Sequence, residues 1–151
     1  MAHSKKPTHI VKTGKTKIPK EDPKTNSFYG LIPSFSFCKY DSGAPWATSS
    51  DGKPSVDSLF HNLRGVEGMT WGGIIQASGG RTHGTNSHYM PIHKLTKEAQ
   101  SRAERMGLIG QELFSLRTQN TVRIWGVIEP KTGCFFVIWY DPEHKVYPVG
   151  K

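Results

Sequence analysis

The run from Cys134 to Asp141 (CFFVIWYD) constrains this chain most, because it is apolar on both faces of any strand it forms. Side chains alternate sides along a strand. A run of this kind needs cover above and below, so it is expected inside a sheet rather than at its edge. Hairpin chemistry precedes it in Glu129-Pro-Lys-Thr-Gly133: Pro130 presets a type I turn, and Gly133 can take a positive φ. Upstream, residues 121–129 and 113–117 read as two more strands. Residues 113–141 therefore predict a three-strand antiparallel meander.

What comes before the meander is mainly helical. Residues 34–41 (SFSFCKYD) alternate Phe35, Phe37 and Lys39 against Ser36, Cys38 and Tyr40, which predicts a first strand. A loop rich in Ser, Gly, Pro and Asp follows to Pro54. A helix then runs from Pro54 or Ser55 to about Arg64, with Val56, Leu59, Phe60 and Leu63 on one stripe, ended by Gly65 and Gly68. Residues 70–77 (TWGGIIQA) suggest a second short helix. Residues 78–88 are a polar loop carrying Arg81, His83 and His88, and long polar loops in small domains are often functional. Thr96 caps a helix over 97–106 that stops at Gly107. The order of strand, helices and three-strand meander predicts an α+β fold, with helices packed on one face of a small, mainly antiparallel sheet.

Charge and apolar content divide the chain near residue 27. Residues 1–27 carry Lys5, Lys6, Lys12, Lys15, Lys17, Lys20 and Lys24 against Glu21 and Asp22, so over half of the net charge of +8 sits there. With five apolar residues, this arm cannot bury enough surface to offset its ordering entropy and is expected to be disordered. All four Trp, all five Tyr and all seven Phe fall in residues 28–151, enough for the core of a single domain. A basic arm on a mildly basic domain suits nucleic acid, because each neutralised phosphate releases a counterion. The arm lysines, Arg81 and Lys145 are the expected contacts; a solubilising tail is the competing reading of the arm. No run approaches the roughly 18 apolar residues of a membrane span and no signal-peptide pattern opens the chain, so a cytoplasmic location is expected. Cys38 and Cys134 lie in apolar runs and are expected as buried free thiols.

The densest polar cluster in an apolar setting lies at the end of the chain. Arg123 interrupts Val122, Ile124 and Trp125, and Asp141-Pro-Glu-His144 follows the last strand, with Lys145 and Tyr147 beyond. A hairpin pairing Glu129 with Cys134 would place Arg123 opposite Tyr140, with Asp141 and His144 just past that end of the sheet. Cleavage of RNA by its 2′-hydroxyl needs a proton acceptor, a cation for the phosphorane charge and an acid for the leaving oxygen. Arg123, His144 and Tyr147, with His88 or Arg81 from the polar loop, offer that set. The competing reading pairs Arg123 structurally with Asp141 and makes Asp141-Pro142 a plain turn. His83, His88 and His93 lack the spacing of zinc ligands, so neither a metal nor a cofactor is expected. Trp71, Trp125 and Trp139 fall at core periodicity, which leaves Tyr147 to stack on a base.

The layout, with the late arginine of "VRIWG", the apolar strand and the His and Tyr of "WYDPEHKVYP", resembles the RelE/ParE superfamily of bacterial toxins over about residues 34–148. "HYMPIHKLTKEA" is similar to their linker into the sheet. The resemblance implies a ribosome-associated endoribonuclease that cleaves mRNA and is held inactive by an antitoxin. It gives Arg123 the phosphate-stabilising role and His144 and Tyr147 the acid–base roles. Other members of the superfamily poison a topoisomerase or bind DNA, so a non-enzymatic binding module stands as the alternative. The chain departs from the compact toxins in its longer region before the meander and in the inserted "DPEH". The basic helix common in those enzymes is represented here by Arg102 and Arg105 alone.

Overall fold

The computed structural model describes residues 28–47, 56–77, 87–108, 110–119 and 121–148. Lys5, Lys6, Lys12, Lys15, Lys17, Lys20, Arg81 and His83 lie outside the described residues. The elements are β1 (Ser34–Ser36), α1 (Val56–Arg64), α2 (Trp71–Gln76), β2 (His88–Pro91), α3 (Lys97–Arg105), β3 (Glu112–Gln119), β4 (Val122–Glu129) and β5 (Cys134–Asp141). Short 3-10 turns occupy Pro45–Ala47 and Ile92–Lys94.

The fold is α+β, with the expected β3-β4-β5 meander at its centre. The sheet order is β1-β5-β4-β3-β2; β1 runs parallel to β5 and every other pairing is antiparallel. β5 is an interior strand, as its two apolar faces require. Gly133 takes φ +71° in the turn before it, and its carbonyl accepts the Trp71 indole N–H at 2.8 Å. That bond ties α2 to the hairpin.

Helices cover both faces, whereas one-sided packing was expected. Leu59 and Leu63 of α1 and Trp71 and Ile74 of α2 pack with Phe28 on Phe114, Leu116, Ile124, Ile128, Phe135, Val137 and Tyr140. The opposite face carries Leu113, Trp125, Ile138 and Trp139 under Ala99 and Ala103 of α3, together with Trp46. Two alanines, Ala99 and Ala103, form the buried side of α3, and so the helix reads as polar in sequence while still covering a core.

Four other expectations change. β1 ends at Ser36 because the chain turns there: the Tyr40 N–H donates to the Phe37 carbonyl at 3.0 Å, and Asp41 rejoins β5 through Ile138. Cys38 is consequently exposed, and Cys134, the first residue of β5, is half-buried; both are free thiols but neither is buried. Of the α1 stripe, Leu59 and Leu63 are buried but Val56 and Phe60 are 55% and 54% exposed, Phe60 meeting Phe37 edge-on. Finally, His88 does not end a loop; it opens the edge strand β2, paired with β3 from His88↔Ser115 to Pro91↔Glu112.

Candidate functional site

The site is set by an irregularity in the β4–β5 hairpin. Pairing begins at Glu129↔Cys134 as expected, but the register shifts between Trp125 and Gly126, leaving Ile138 as an extra residue in β5. Beyond the bulge Ile124 pairs with Tyr140, and Arg123 pairs with Asp141 instead of Tyr140. A bulge reverses the parity of everything after it. Tyr140 therefore turns to the α1 side, where its hydroxyl meets Ser58 at 2.7 Å, and Asp141 shares the α3 side with Arg123. Gly126 permits this geometry: a Cβ there would collide with the Phe136 carbonyl oxygen and the Phe135 ring.

Asp141 is fully buried and organises the segment after the sheet. Its Oδ1 accepts the Lys145 N–H at 2.7 Å and its Oδ2 the Val146 N–H at 2.9 Å. Burial pushes its pKa up, the two backbone donors oppose that shift, and the Trp125 indole leans toward it without making a hydrogen bond of good geometry. The loop that Asp141 closes holds His144 at φ +57°, a left-handed conformation that is uncommon for a residue with a side chain and is often found at functional positions.

His144 faces a basic neighbourhood. Its pKa is pulled down first by burial and then by Arg123, with Arg117 and His88 adding to the effect and Asp141 opposing it. Arg123 is itself half-buried, its pKa lowered by burial and by Arg117 and raised by Asp141; its Nη1 donates to the Val122 carbonyl at 3.1 Å. His88 stands on the same face: Met90, two residues on, packs in the α3-side core, while Tyr89 packs on the other side. Arg123, His144 and His88 are thus brought together at one end of the sheet.

Tyr147 and Lys145 are placed differently. The Val146 carbonyl accepts the Thr96 N–H at 3.1 Å, and Tyr147 packs half-buried against the α3-side core. Tyr147 is not among the groups whose charge acts on His144. Lys145 is exposed, with its ammonium 2.9 Å from Glu143. Arg102, from the basic helix, makes a bidentate pair with Asp41 at 2.6 and 2.8 Å and belongs to the framework. Trp71, Trp125 and Trp139 are core residues.

One member of the group was missed in sequence. Arg117 of β3 is the cross-strand partner of Arg123, and its N–H is held by Ser87 Oγ at 3.1 Å, directly before His88. Counting back regularly from Gln119↔Val122 would place Thr118 opposite Arg123; the register shift between Arg117 and Gln119 puts Arg117 there instead, so no sequence signal marked it. Among the described residues, no three His, Cys, Asp or Glu side chains gather as a metal site. A groove of about 590 Å³ runs between Ile92, Gln100, Glu104 and Gln111, at the far end of β2 from His88. Its lining also includes His93 and Glu112, but none of Arg123, His144 and His88. Compared with known proteins, the chain matches no family model, no characterised sequence and no solved structure.

Proposed function

We propose that this protein is an endoribonuclease of the RelE-like toxin type, cutting mRNA through its 2′-hydroxyl at the sheet end formed by Arg123, His144 and His88. The observation that carries the reading is the convergence of these side chains on one face, with His144 fixed in a left-handed turn by Asp141. A histidine whose pKa lies below its ordinary value is unprotonated at neutral pH and can accept a proton. In the proposed step His144 takes the 2′-OH proton, the 2′ oxygen attacks phosphorus, and the 5′ oxygen leaves with a proton from His88. The products are a 2′,3′-cyclic phosphate and a 5′-hydroxyl. Arg123, an arginine that keeps its charge at any working pH, stabilises the phosphorane oxygens.

The resemblance of "VRIWG" and "WYDPEHKVYP" to that toxin family adds weight to the reading. A cytoplasmic setting, action on ribosome-bound mRNA and control by an antitoxin that covers this sheet end belong to the same proposal. No helix of the described residues is long and apolar enough to cross a membrane. Induced expression tests the proposal: the wild-type chain should arrest growth and degrade mRNA, and Arg123→Ala should do neither. Growth without arrest, combined with retained RNA binding, would replace the nuclease with a non-enzymatic binding module.

A further inference from the structure

β1 forms one edge of the sheet. It pairs with β5 along one side and, among the described residues, with no strand along the other. Of the five large apolar side chains that the described residues expose, four gather around this edge. Ile32 lies two residues before β1 and Phe37 directly after it. Phe60 of α1 meets Phe37 with ring centroids 5.9 Å apart, and Val56 stands one turn earlier on the same helix. Scattered singly, exposed apolar residues need no explanation; gathered beside an unpaired strand, they mark a place where another chain docks.

The patch is one-sided and neutral. Phe35 packs in the α1-side core and Phe37 reaches Phe60, so the exposed rings lie on the α1 side of the sheet. Residues 30–38 (GLIPSFSFC) hold no charged side chain. Lys39 follows them, with its ammonium 5.1 Å from the centre of the Phe136 ring. In a chain of net charge +8, a neutral stretch of edge is where two copies can meet without like charges opposing each other.

We propose that this edge pairs with the same edge of a second copy, β1 antiparallel to β1 across a two-fold axis, joining two five-strand sheets into one. Ser34-Phe35-Ser36 reads alike in both directions, so the antiparallel register sets Phe35 opposite Phe35 and Ser34 opposite Ser36. A two-fold axis normal to the sheet keeps both α1 helices on one face, where Phe37, Val56 and Phe60 of each copy meet those of the other. The four side chains offer roughly 400 Å² of apolar surface per copy, taking about 200 Å² for a fully exposed large ring. Apolar atoms make up about 60% of an interface, so this patch supports roughly 700 Å² per copy, close to the roughly 800 Å² of a stable pair. β1 pairs with the first three residues of β5, whereas His144 follows the last, so the dimer leaves the candidate site open. The pairing stands independently of the RNA-cleaving reading.

Sedimentation of the full chain across the micromolar range tests it, together with hydrogen exchange at residues 34–36. The mass should rise with concentration from 16.9 kDa toward twice that value, and the outward amides of residues 34–36 should slow in step with it. Phe60→Glu, at an exposed position, should keep the wild-type circular dichroism and weaken pairing by about tenfold or more, the scale of a lost aromatic anchor. Phe60→Leu should recover part of that. Lys97→Ala, an equal change of charge on α3, should change little. A wild type that stays at 16.9 kDa overturns the proposal, whether the amides exchange fast or another part of the chain slows them. So does a dimer that Phe60→Glu leaves within about twofold of wild type, or one whose residue 34–36 amides exchange as fast as in the monomer.

Discussion

Two aspartates on the α3 side of the sheet meet arginines in opposite ways. Asp41 spends both oxygens on Arg102, at 2.6 and 2.8 Å, and takes the Trp139 indole N–H at 3.0 Å as well. Trp46 lies under the same guanidinium, 6.0 Å from ring centre to carbon. That pair is closed: charges, donors and aromatic face are all matched, and the Arg102 bond holds the Asp41 carboxyl below its ordinary pKa. Asp141 spends its oxygens on backbone N–H groups instead, and burial pushes its pKa up. Arg123 beside it faces a second arginine. An aspartate that neutralises an arginine builds framework. An aspartate occupied with backbone shapes a loop.

The largest effects should fall at the open end. His144→Ala and Arg123→Ala should each lower RNA cleavage by about 10²-fold or more while the domain stays folded, as expected for a lost proton acceptor or charge stabiliser. Loss of cleavage that merely tracks loss of folded protein would erase the contrast between the two ends.

Next in size is the closed pair. Arg102→Ala leaves Asp41 charged and partly buried, and should cost about 2–3 kcal/mol of stability by denaturant titration, with cleavage per folded molecule unchanged. The two aspartates should also respond to acid with opposite signs. Asp41, whose folded pKa is depressed, stabilises the fold above the ordinary carboxylate value of about 4, and that contribution is lost as pH falls through the depressed pKa. Asp141, whose folded pKa is raised, favours the fold below that value, and its contribution is lost as pH rises through the raised pKa. Arg102→Ala should therefore flatten acid destabilisation, and Asp141→Asn should steepen it.

A smaller change is expected in the loop that Asp141 holds. Asp141→Asn keeps one acceptor but turns an amide toward the second N–H, and it removes the charge that props up the His144 pKa. Cleavage should fall about tenfold, the scale of one charge-assisted bond. The His144 imidazole resonance should titrate at lower pH than in wild type. An unmoved titration would mean that Asp141 does not govern His144.

Much of this was legible in sequence where a local rule decides. The meander, the interior place of CFFVIWY, the Thr96 cap and the Gly133 turn each follow from residues within one element. The pairing of Arg123 was not legible, because a single inserted residue, Ile138, reverses the parity of the strand end. The only trace of that insertion is Gly126, where the backbones approach too closely for a Cβ. β2 escaped because HYMP is short and gains its order from pairing with β3. Cys38 was misjudged because β1 stops at Ser36, a limit set by the turn back to Asp41. The smallest expected effect follows from that limit: Cys38 should react with a thiol reagent in the folded protein, and half-buried Cys134 more slowly.

The central claim is that the end of the sheet around His144 cuts RNA through its own 2′-hydroxyl, and the chemical identity of the ends tests it most directly. Purified full-length chain should convert mRNA on ribosomes into fragments with 2′,3′-cyclic phosphate and 5′-hydroxyl termini, while folded His144→Ala should yield about a hundredth as many. Fragments bearing other termini, or equal numbers from His144→Ala, would contradict it.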